Sequence, residues 1–215
     1  MSRFVHGLIA GHGGLHPQTG QYVTAPKKMC LFGDGRVVYE GVENRNIVNA
    51  ILAHNVLGGN QLANVEDLLH GAWEDTPRSE RIEIVNERFD ELKAQGKELL
   101  LWEIHNNAYQ PNKAEGREIF TTRGNNFSDT MATIWWNVAK EVIPDQKLRE
   151  DWSDGDPDKE KDYDIIKGVK CFAVLPECFF FDQRDEVEKY CNPDGYSLWA
   201  TVFLKTFQHI DRIYG

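Results

Sequence analysis

One short stretch constrains the fold more than any other: the apolar run from Phe4 to Ala10 and the glycine-rich turn that follows it. The run stops abruptly at Gly11-His12-Gly13-Gly14, which is typical of a buried strand rather than of a helix. Glycines let a backbone approach a ligand closely and adopt positive φ angles. We therefore predict that His12 stands at the carboxyl end of a buried strand, with open space around its ring.

Two later apolar runs end on polar side chains in the same way. The segment Leu99–Ile104 is followed by His105, and the segment Cys171–Pro176 is followed by Glu177. In an open α/β sheet, functional sites form at the carboxyl ends of the strands. We therefore expect His12, His105 and Glu177 to converge at one edge of a sheet.

The alternation of strand and helix patterns predicts the fold class. Helical spacing of apolar residues predicts helices that begin near Glu40, Thr76, Ser128, Asp182 and Tyr196. Asp75 or Thr76 is predicted to cap the second helix and Ser128 the third. Strands that alternate with helices predict an α/β fold with a mostly parallel, twisted sheet and helices on both faces. No repeat, linker or composition break marks a second domain, so we expect a single domain over residues 1–215, and the polar residues at the strand tips are expected to form a metal site at the carboxyl ends of the strands.

The connecting segments carry weaker signals. Gly33-Asp34-Gly35 predicts the turn of a β-hairpin, and Gly58-Gly59 is expected to end the first helix. Glu118–Thr122 is predicted as an edge strand. The acidic segment Glu150–Asp162 has few apolar residues, so we predict a mobile surface loop whose charge serves solvation rather than binding.

Composition and charge narrow the possible partners. The chain has 215 residues, of which 41% are hydrophobic, enough for a full core. A formal net charge of −10 disfavours nucleic acid and anionic membrane surfaces. We find no secretory signal pattern and no apolar run near the ~20 residues that span a bilayer. We therefore expect a monomer made in the cytoplasm, without a membrane anchor or a nucleic-acid partner.

Two histidines and one glutamate are the candidate metal ligands. His12 and His105 end buried strands, where an unpaired imidazole is costly, and a catalytic zinc takes three protein ligands and leaves one position for water. We predict Glu40 as the third ligand rather than Glu43, because the hairpin delivers residue 40 to the sheet edge. Each residue alone is more often structural; the joint pattern favours a metal. Glu103 shares a strand face with His105 and either orients that ligand or faces a polar helix.

Glu177 differs from the proposed ligands because apolar residues surround it on both sides in the sequence. Desolvation of a carboxylate in such a segment raises its pKa toward that of a useful general base. The alternative is a buried carboxylate paired with an arginine or with backbone amides, and the sequence leaves both interpretations open. The four cysteines have no C-x-x-C spacing and are expected to act as small buried hydrophobes.

Four segments, in this order, resemble the zinc-dependent N-acetylmuramoyl-L-alanine amidases, the catalytic domains of many phage endolysins and bacterial autolysins. The segments are Gly11-His12-Gly13-Gly14, the helix start from Glu40 to Val48, Ile104-His105-Asn106-Asn107-Ala108 with Gly116–Phe120 after it, and Val174-Leu175-Pro176-Glu177. Each motif alone is moderately specific, but their order and spacing cover most of the chain.

The resemblance implies an amidase catalytic domain over residues 1–215 that binds Zn²⁺ through His12, Glu40 and His105. It implies hydrolysis of the amide between N-acetylmuramic acid and L-alanine in peptidoglycan, with Glu177 as the catalytic residue that moves the proton. Asn107 is the implied substrate contact. It further implies a phage lysin that acts on the cell wall. Two alternatives stay open: another zinc hydrolase, such as a wall-peptide carboxypeptidase, and a non-catalytic peptidoglycan-binding protein on the same fold.

Overall fold

The computed structural model describes residues 2–57, 61–110 and 113–215. The strands are β1 (Phe4–Ala10), β2 (Met29–Leu31), β3 (Val37–Tyr39), β4 (Val65–Asp67), β5 (Glu98–Asn107), β6 (Glu118–Thr121), β7 (Lys159–Glu160) and β8 (Phe172–Phe180). The helices are α1 (Glu40–Asn55), α2 (Arg78–Ala94), α3 (Phe127–Val142), α4 (Asp164–Gly168), α5 (Arg184–Tyr190) and α6 (Pro193–Tyr214). Within the same ranges, none of the helices has the length and apolar character that crossing a membrane requires.

The main sheet is mostly parallel, as the sequence predicts. Its strand order among the described residues is β4-β1-β5-β8-β6-β7, and only the β6–β8 pair is antiparallel. Alternate residues of β5 point to opposite faces. Leu100 and Trp102 join the core under α1, α3 and α6, whereas Leu99 and Leu101 join the core under α2 and α4. Helices therefore cover both faces, and the predicted α/β fold class is confirmed.

The first strand and the hairpin lie where the sequence predicts them. All of β1 is buried, β2 and β3 pair antiparallel around the Gly33-Asp34-Gly35 turn, and α1 begins at Glu40. The hairpin thus leads directly into the helix that carries Glu40. The predicted helix end at Gly58-Gly59 lies outside the described residues.

The predicted caps of two helices are wrong. Pro77 occupies the N-cap position of α2, and the Asp75 carboxylate instead accepts a hydrogen bond from Thr24 Oγ1 at 2.9 Å. Asn126 caps α3 by accepting a bond from the Ser128 backbone N–H at 2.8 Å. The Ser128 hydroxyl accepts from Ala173 N. In both cases the side chain predicted to cap the helix accepts a hydrogen bond from a residue far along the chain instead.

Strands β5 and β8 continue past the points where the sequence predicts their ends. His105 lies opposite Glu177, and pairing resumes at Asn107 and Phe180 after an irregularity. The residues after Glu177 are apolar and buried, so the chain stays in the sheet. His105 and Glu177 therefore project from within neighbouring strands, while His12 lies two residues beyond the end of β1.

The segment Glu150–Asp162 is more ordered in its contacts than predicted. Its second half contains β7, which pairs parallel with β6, so β6 is not the edge strand. Asp158 is only 1% exposed, and its Oδ2 accepts a hydrogen bond from Thr121 Oγ1. The prediction of a fully solvated loop is wrong for this half, because burial of Asp158 requires a partner that the local sequence does not show.

Candidate metal centre

The three predicted ligands meet at one point. The Oε1 atom of Glu40 lies 2.9 Å from Nδ1 of His105 and 3.3 Å from Nε2 of His12. One ligand-type atom from each residue falls within 4.8 Å of the others. The turn after β1, the first residue of α1 and the end of β5 supply the three side chains, so they come from separate parts of the chain.

The glycines of the first turn provide space rather than unusual backbone angles. His12 itself adopts a positive φ of 63°, whereas the three glycines of this turn do not. A Cβ atom on Gly11 would lie 2.2 Å from the ring of His105, and one on Gly41 would lie 1.9 Å from the Gly13 carbonyl oxygen. These glycines therefore allow the turn, α1 and His105 to approach one another closely.

Two side chains of α1 hold the turn in place. Asn44 Nδ2 donates to the Gly11 carbonyl at 2.8 Å, and Arg45 Nη1 donates to the His12 carbonyl at 2.6 Å. Arg45 also donates to the carbonyls of Ala72 and Gly41. In the sequence, Asn44 and Arg45 are distinguished only as members of the segment from Glu40 to Val48. Their spacing of about one helical turn from Glu40 is the signal that they face the same loop.

The protonation states of the three side chains are coupled. Burial lowers the pKa of His12, which favours the neutral imidazole that metals bind. Burial also disfavours the charge on Glu40 and His105, but their mutual contacts outweigh it. The pKa of Glu40 is held below its usual range, and the carboxylates of Glu103 and Glu40 raise the pKa of His105 to about 10. In the metal-free protein His105 is thus a cation that a bound metal must deprotonate.

Two buried ligand atoms are left without hydrogen-bond partners among the described residues: Nε2 of His12 and Oε2 of Glu40. The ammonium of Lys28 lies 3.1 Å from that oxygen and compensates its charge. Two imidazole nitrogens and a carboxylate are the donor set that zinc takes in catalytic sites. The unpartnered nitrogen of His12 and the donor chemistry of the three side chains therefore fit a zinc ion.

Glu103 contacts both of its predicted partners, the ligand candidate His105 and a polar helix. Its Oε1 lies 3.3 Å from Nε2 of His105 and pairs with the guanidinium of Arg81 on α2. Both Glu103 and Arg81 are buried. Since Nδ1 of His105 faces Glu40, the carboxylate of Glu103 lies on the opposite side of the ring, as in a carboxylate–histidine–metal arrangement.

Glu177 lies beside the three ligand candidates but not among them. It is the neighbour of His105 across the β5–β8 pair, and its buried Oε2 has no hydrogen-bond partner among the described residues. Burial raises the pKa of Glu177 to about 8. The predicted desolvation of this carboxylate is confirmed, and in the part of the chain that the structure describes no arginine or backbone amide binds its Oε2.

Asn107, the predicted substrate contact, points toward β6. Its Nδ2 donates to Glu118 Oε1 at 2.5 Å, and Glu118 lies opposite Glu177 in the β6–β8 pair. Lys159 binds the other oxygen of Glu118. The side chain of Asn107 therefore belongs to a polar network next to Glu177, and its substrate role stays a prediction.

Glu43, the alternative third ligand, faces away from the histidines. Its Oε2 accepts a hydrogen bond from the hydroxyl of Tyr196 on α6 at 2.6 Å. Glu40 alone of the two contacts His12 and His105. This geometry favours Glu40 as the ligand.

Comparisons with known proteins agree with the family resemblance of the motifs. A sequence model described as N-acetylmuramoyl-L-alanine amidase matches residues 7–205. An N-acetylmuramoyl-L-alanine amidase from Clostridium difficile 630 has a similar structure, with a TM-score of 0.72 at 15% identity and 100% of each chain covered. The amidase AmiC2 of Nostoc punctiforme gives a TM-score of 0.69 at 15% identity, with 96% of each chain covered.

An endolysin domain has the same fold. The catalytic domain of the CD27L endolysin targeting Clostridia difficile gives a TM-score of 0.60 at 19% identity, covering 97% of this chain and 98% of that chain. At these identities the structural likeness shows a shared fold. No curated protein sequence matches the chain.

Proposed function

The chain belongs to the N-acetylmuramoyl-L-alanine amidase family of peptidoglycan-cleaving enzymes, and we propose that it is a zinc-dependent member. In this proposal His12, Glu40 and His105 bind the ion, Glu177 is the catalytic residue, and residues 1–215 act as one monomeric catalytic domain. The observation that carries the proposal is the convergence of the three ligand candidates, with buried atoms of His12 and Glu40 left without hydrogen-bond partners.

The bond to be cut is the amide between the lactyl group of N-acetylmuramic acid and L-alanine of the stem peptide. When bound, zinc supplies Lewis-acid polarisation of the amide carbonyl and makes water more acidic. The carboxylate of Glu103 lies against the ring of His105, and Asn44 and Arg45 keep the turn of His12 in place. These contacts keep the ligands preorganised, so little rearrangement opposes binding.

Glu177 moves the proton in this proposal. Its Oε2 accepts a proton from the attacking water, whose oxygen forms a bond to the carbonyl carbon. The same carboxyl then gives the proton to the nitrogen as the C–N bond breaks, so that a muramyl carboxylate and a free alanine amine result. A raised pKa keeps Glu177 protonated at neutral pH in the metal-free protein, and a nearby dication favours the carboxylate that the reaction needs.

The test is the replacement Glu177→Gln, which keeps the shape of the side chain but cannot accept the proton. General acid–base groups contribute ~10²–10⁴-fold, so hydrolysis of purified peptidoglycan should fall by about that factor. Zinc content and melting temperature should stay close to the parent values. Glu43→Gln is the matched control, because Glu43 faces α6, and it should retain activity.

Three outcomes would contradict parts of this proposal. Loss of zinc from Glu177→Gln would make Glu177 a ligand. Unchanged activity would remove it from the catalytic step. Release of a C-terminal amino acid by the parent, rather than a new amine on L-alanine, would identify a carboxypeptidase; mass spectrometry of the products separates the two.

We also propose a lytic role of the endolysin type, with synthesis in the host cytoplasm and action on the cell wall. The similarity to an endolysin catalytic domain supports this role. Expression in a bacterium should cause lysis only when a membrane pore is supplied together with the protein. Lysis without the pore would contradict cytoplasmic retention, and absence of lysis with the pore would contradict the lytic role.

A further inference from the structure

A second cluster of carboxylates lies away from the zinc-type centre. It consists of Asp129, Asp156 and Asp158, which we call the aspartate cluster, and one oxygen from each falls within 4.8 Å of the others. Strand β6 runs antiparallel to β8. Glu118, the first residue of β6, lies opposite Glu177, whereas Thr121, its last residue, lies toward the amino end of β8. The hydrogen bond between Thr121 and Asp158 therefore places the cluster at the opposite end of the sheet.

Two separate segments contribute to the aspartate cluster. Asp129 is in the first turn of α3, where its carboxylate accepts a bond from the Asn126 backbone N–H. Asp156 and Asp158 belong to the segment that precedes β7. The cluster thus joins the start of a long helix to a segment that has little regular structure of its own.

Buried oxygens in the cluster have no donor. Asp158 is only 1% exposed. The hydroxyl of Thr121 donates to Oδ2 of Asp158, but Oδ1 of Asp158 has no hydrogen-bond partner among the described residues. The Oδ1 atom of Asp156 is also buried without a partner. The neighbouring ammonium of Lys159 binds Glu118 instead. A buried anionic oxygen without a donor is costly, and among the described residues no cationic side chain forms an ion pair with the cluster.

The electrostatics of Asp158 agree with this geometry. Burial raises its pKa, and the adjacent carboxyl of Asp156 raises it further, to about 8. Without a bound cation these carboxyls can coexist only by sharing a proton. A divalent cation removes both the repulsion and the unpartnered oxygens.

We propose that Asp129, Asp156 and Asp158 form a structural binding site for a hard divalent cation, and that this cation is Ca²⁺. Ca²⁺ takes oxygen ligands, including several carboxylates, in flexible geometry, whereas Mg²⁺ demands a near-ideal octahedron and gives up its waters reluctantly. Three carboxylates from two separate segments suit the first ion. Zinc prefers the nitrogen-containing set at His12 and His105.

The bound cation would fix the segment before β7 against the start of α3. Lys159 follows Asp158 directly and binds Glu118, which lies opposite Glu177. The site therefore supports the far side of the active-site region through one short segment, without contact with the reacting groups.

The test measures the melting temperature of the full, zinc-loaded chain with and without CaCl₂. At 100 times the dissociation constant, Ca²⁺ should raise the melting temperature by about 5–10 °C. Asp158→Asn and Asp156→Asn should each lose this response, while Asp154→Asn, an exposed aspartate of the same segment, should keep it. Without calcium, the Asp158→Asn protein should melt no lower than the parent, because one of the repelling carboxyls is gone.

Sensitised terbium luminescence of the parent, competed by Ca²⁺ and lost in both cluster variants, gives a readout independent of stability and of amidase activity. No calcium response in the parent would overturn the proposal and leave a shared proton as the explanation. An undiminished response in both cluster variants would also overturn it. Stabilisation by Mg²⁺ but not by Ca²⁺ would overturn the choice of ion.

Discussion

The substitution Glu103→Gln tests whether this buried carboxylate orients His105 or only neutralises the charge of Arg81. Glu103 is 1% exposed and touches both partners. The answer requires three variants: Glu103→Gln, Arg81→Met and the double variant. Each single change removes one charge of a buried ion pair, and the double change removes both.

The expected stability changes follow from burial of the pair. Removing Glu103 leaves the charge of Arg81 buried and uncompensated, which costs about 3–5 kcal/mol. Removing Arg81 should cost less, because the Glu103 carboxylate keeps the His105 imidazolium as a partner. For a chain of this size, 1 kcal/mol corresponds to ~2–4 °C in melting temperature, so Glu103→Gln should melt roughly 6–20 °C below the parent. The double variant should recover most of this loss, since neither Glu103 nor Arg81 then leaves an unpaired charge.

Zinc affinity should follow a different pattern. Loss of a carboxylate that orients a histidine ligand typically costs 10–100-fold in metal affinity, so Glu103→Gln and the double variant should both show about that loss. Arg81→Met keeps the carboxylate on His105 and should bind zinc with nearly the parent affinity. Thermal melts of metal-free protein and zinc competition with a chromophoric chelator provide the two readouts. Parent-like zinc affinity in the double variant would refute the orienting role and leave Glu103 as a partner of Arg81 alone.

Three further predictions concern the metal centre itself. His12→Ala and His105→Ala should each abolish stoichiometric zinc by metal analysis, and full occupancy in both would remove the site. Glu40→Ala should lose zinc affinity while Glu43→Ala keeps it, and the reverse result would exchange their assignments. Gly11→Ala places a Cβ 2.2 Å from the His105 ring, and a displacement on the order of 1 Å can cost ~10²-fold in activity; unchanged turnover in the folded variant would contradict the close-approach argument.

The fold and the ligand candidates could be predicted because their signals are local. The apolar run of β1 is short and uninterrupted, so its burial follows from its own residues. Glu40 directly follows the hairpin, and its position at the start of α1 follows from the order of the two patterns. Each of these features needs only a few neighbouring residues, which is why the sequence indicates them correctly.

Features that depend on a partner far along the chain could not be predicted in this way. Local preference chose Ser128 as a helix cap, but Ala173 engages its hydroxyl and Asn126 caps the helix. Arg81 has no local signal for binding Glu103, which is 22 residues away. The predicted ends of β5 and β8 are wrong for the same reason. The pairing of β5 with β8, not the polarity of His105, decides where the strands end.

The carboxylates show why local surroundings alone do not fix chemistry. Glu177 has apolar neighbours in sequence, and its pKa is raised as predicted. Glu40 is at least as deeply buried, yet two histidines from other parts of the chain hold its pKa below the usual value. Asp158 lies in an acidic segment that predicts solvation, yet it is buried and its pKa is raised. Burial sets the cost of the charge in all three cases, and the partner that the tertiary fold supplies or withholds decides the protonation state. At Asp158 one oxygen has the Thr121 hydroxyl as a donor and the other has no partner among the described residues, and this difference is what the proposed cation would remove.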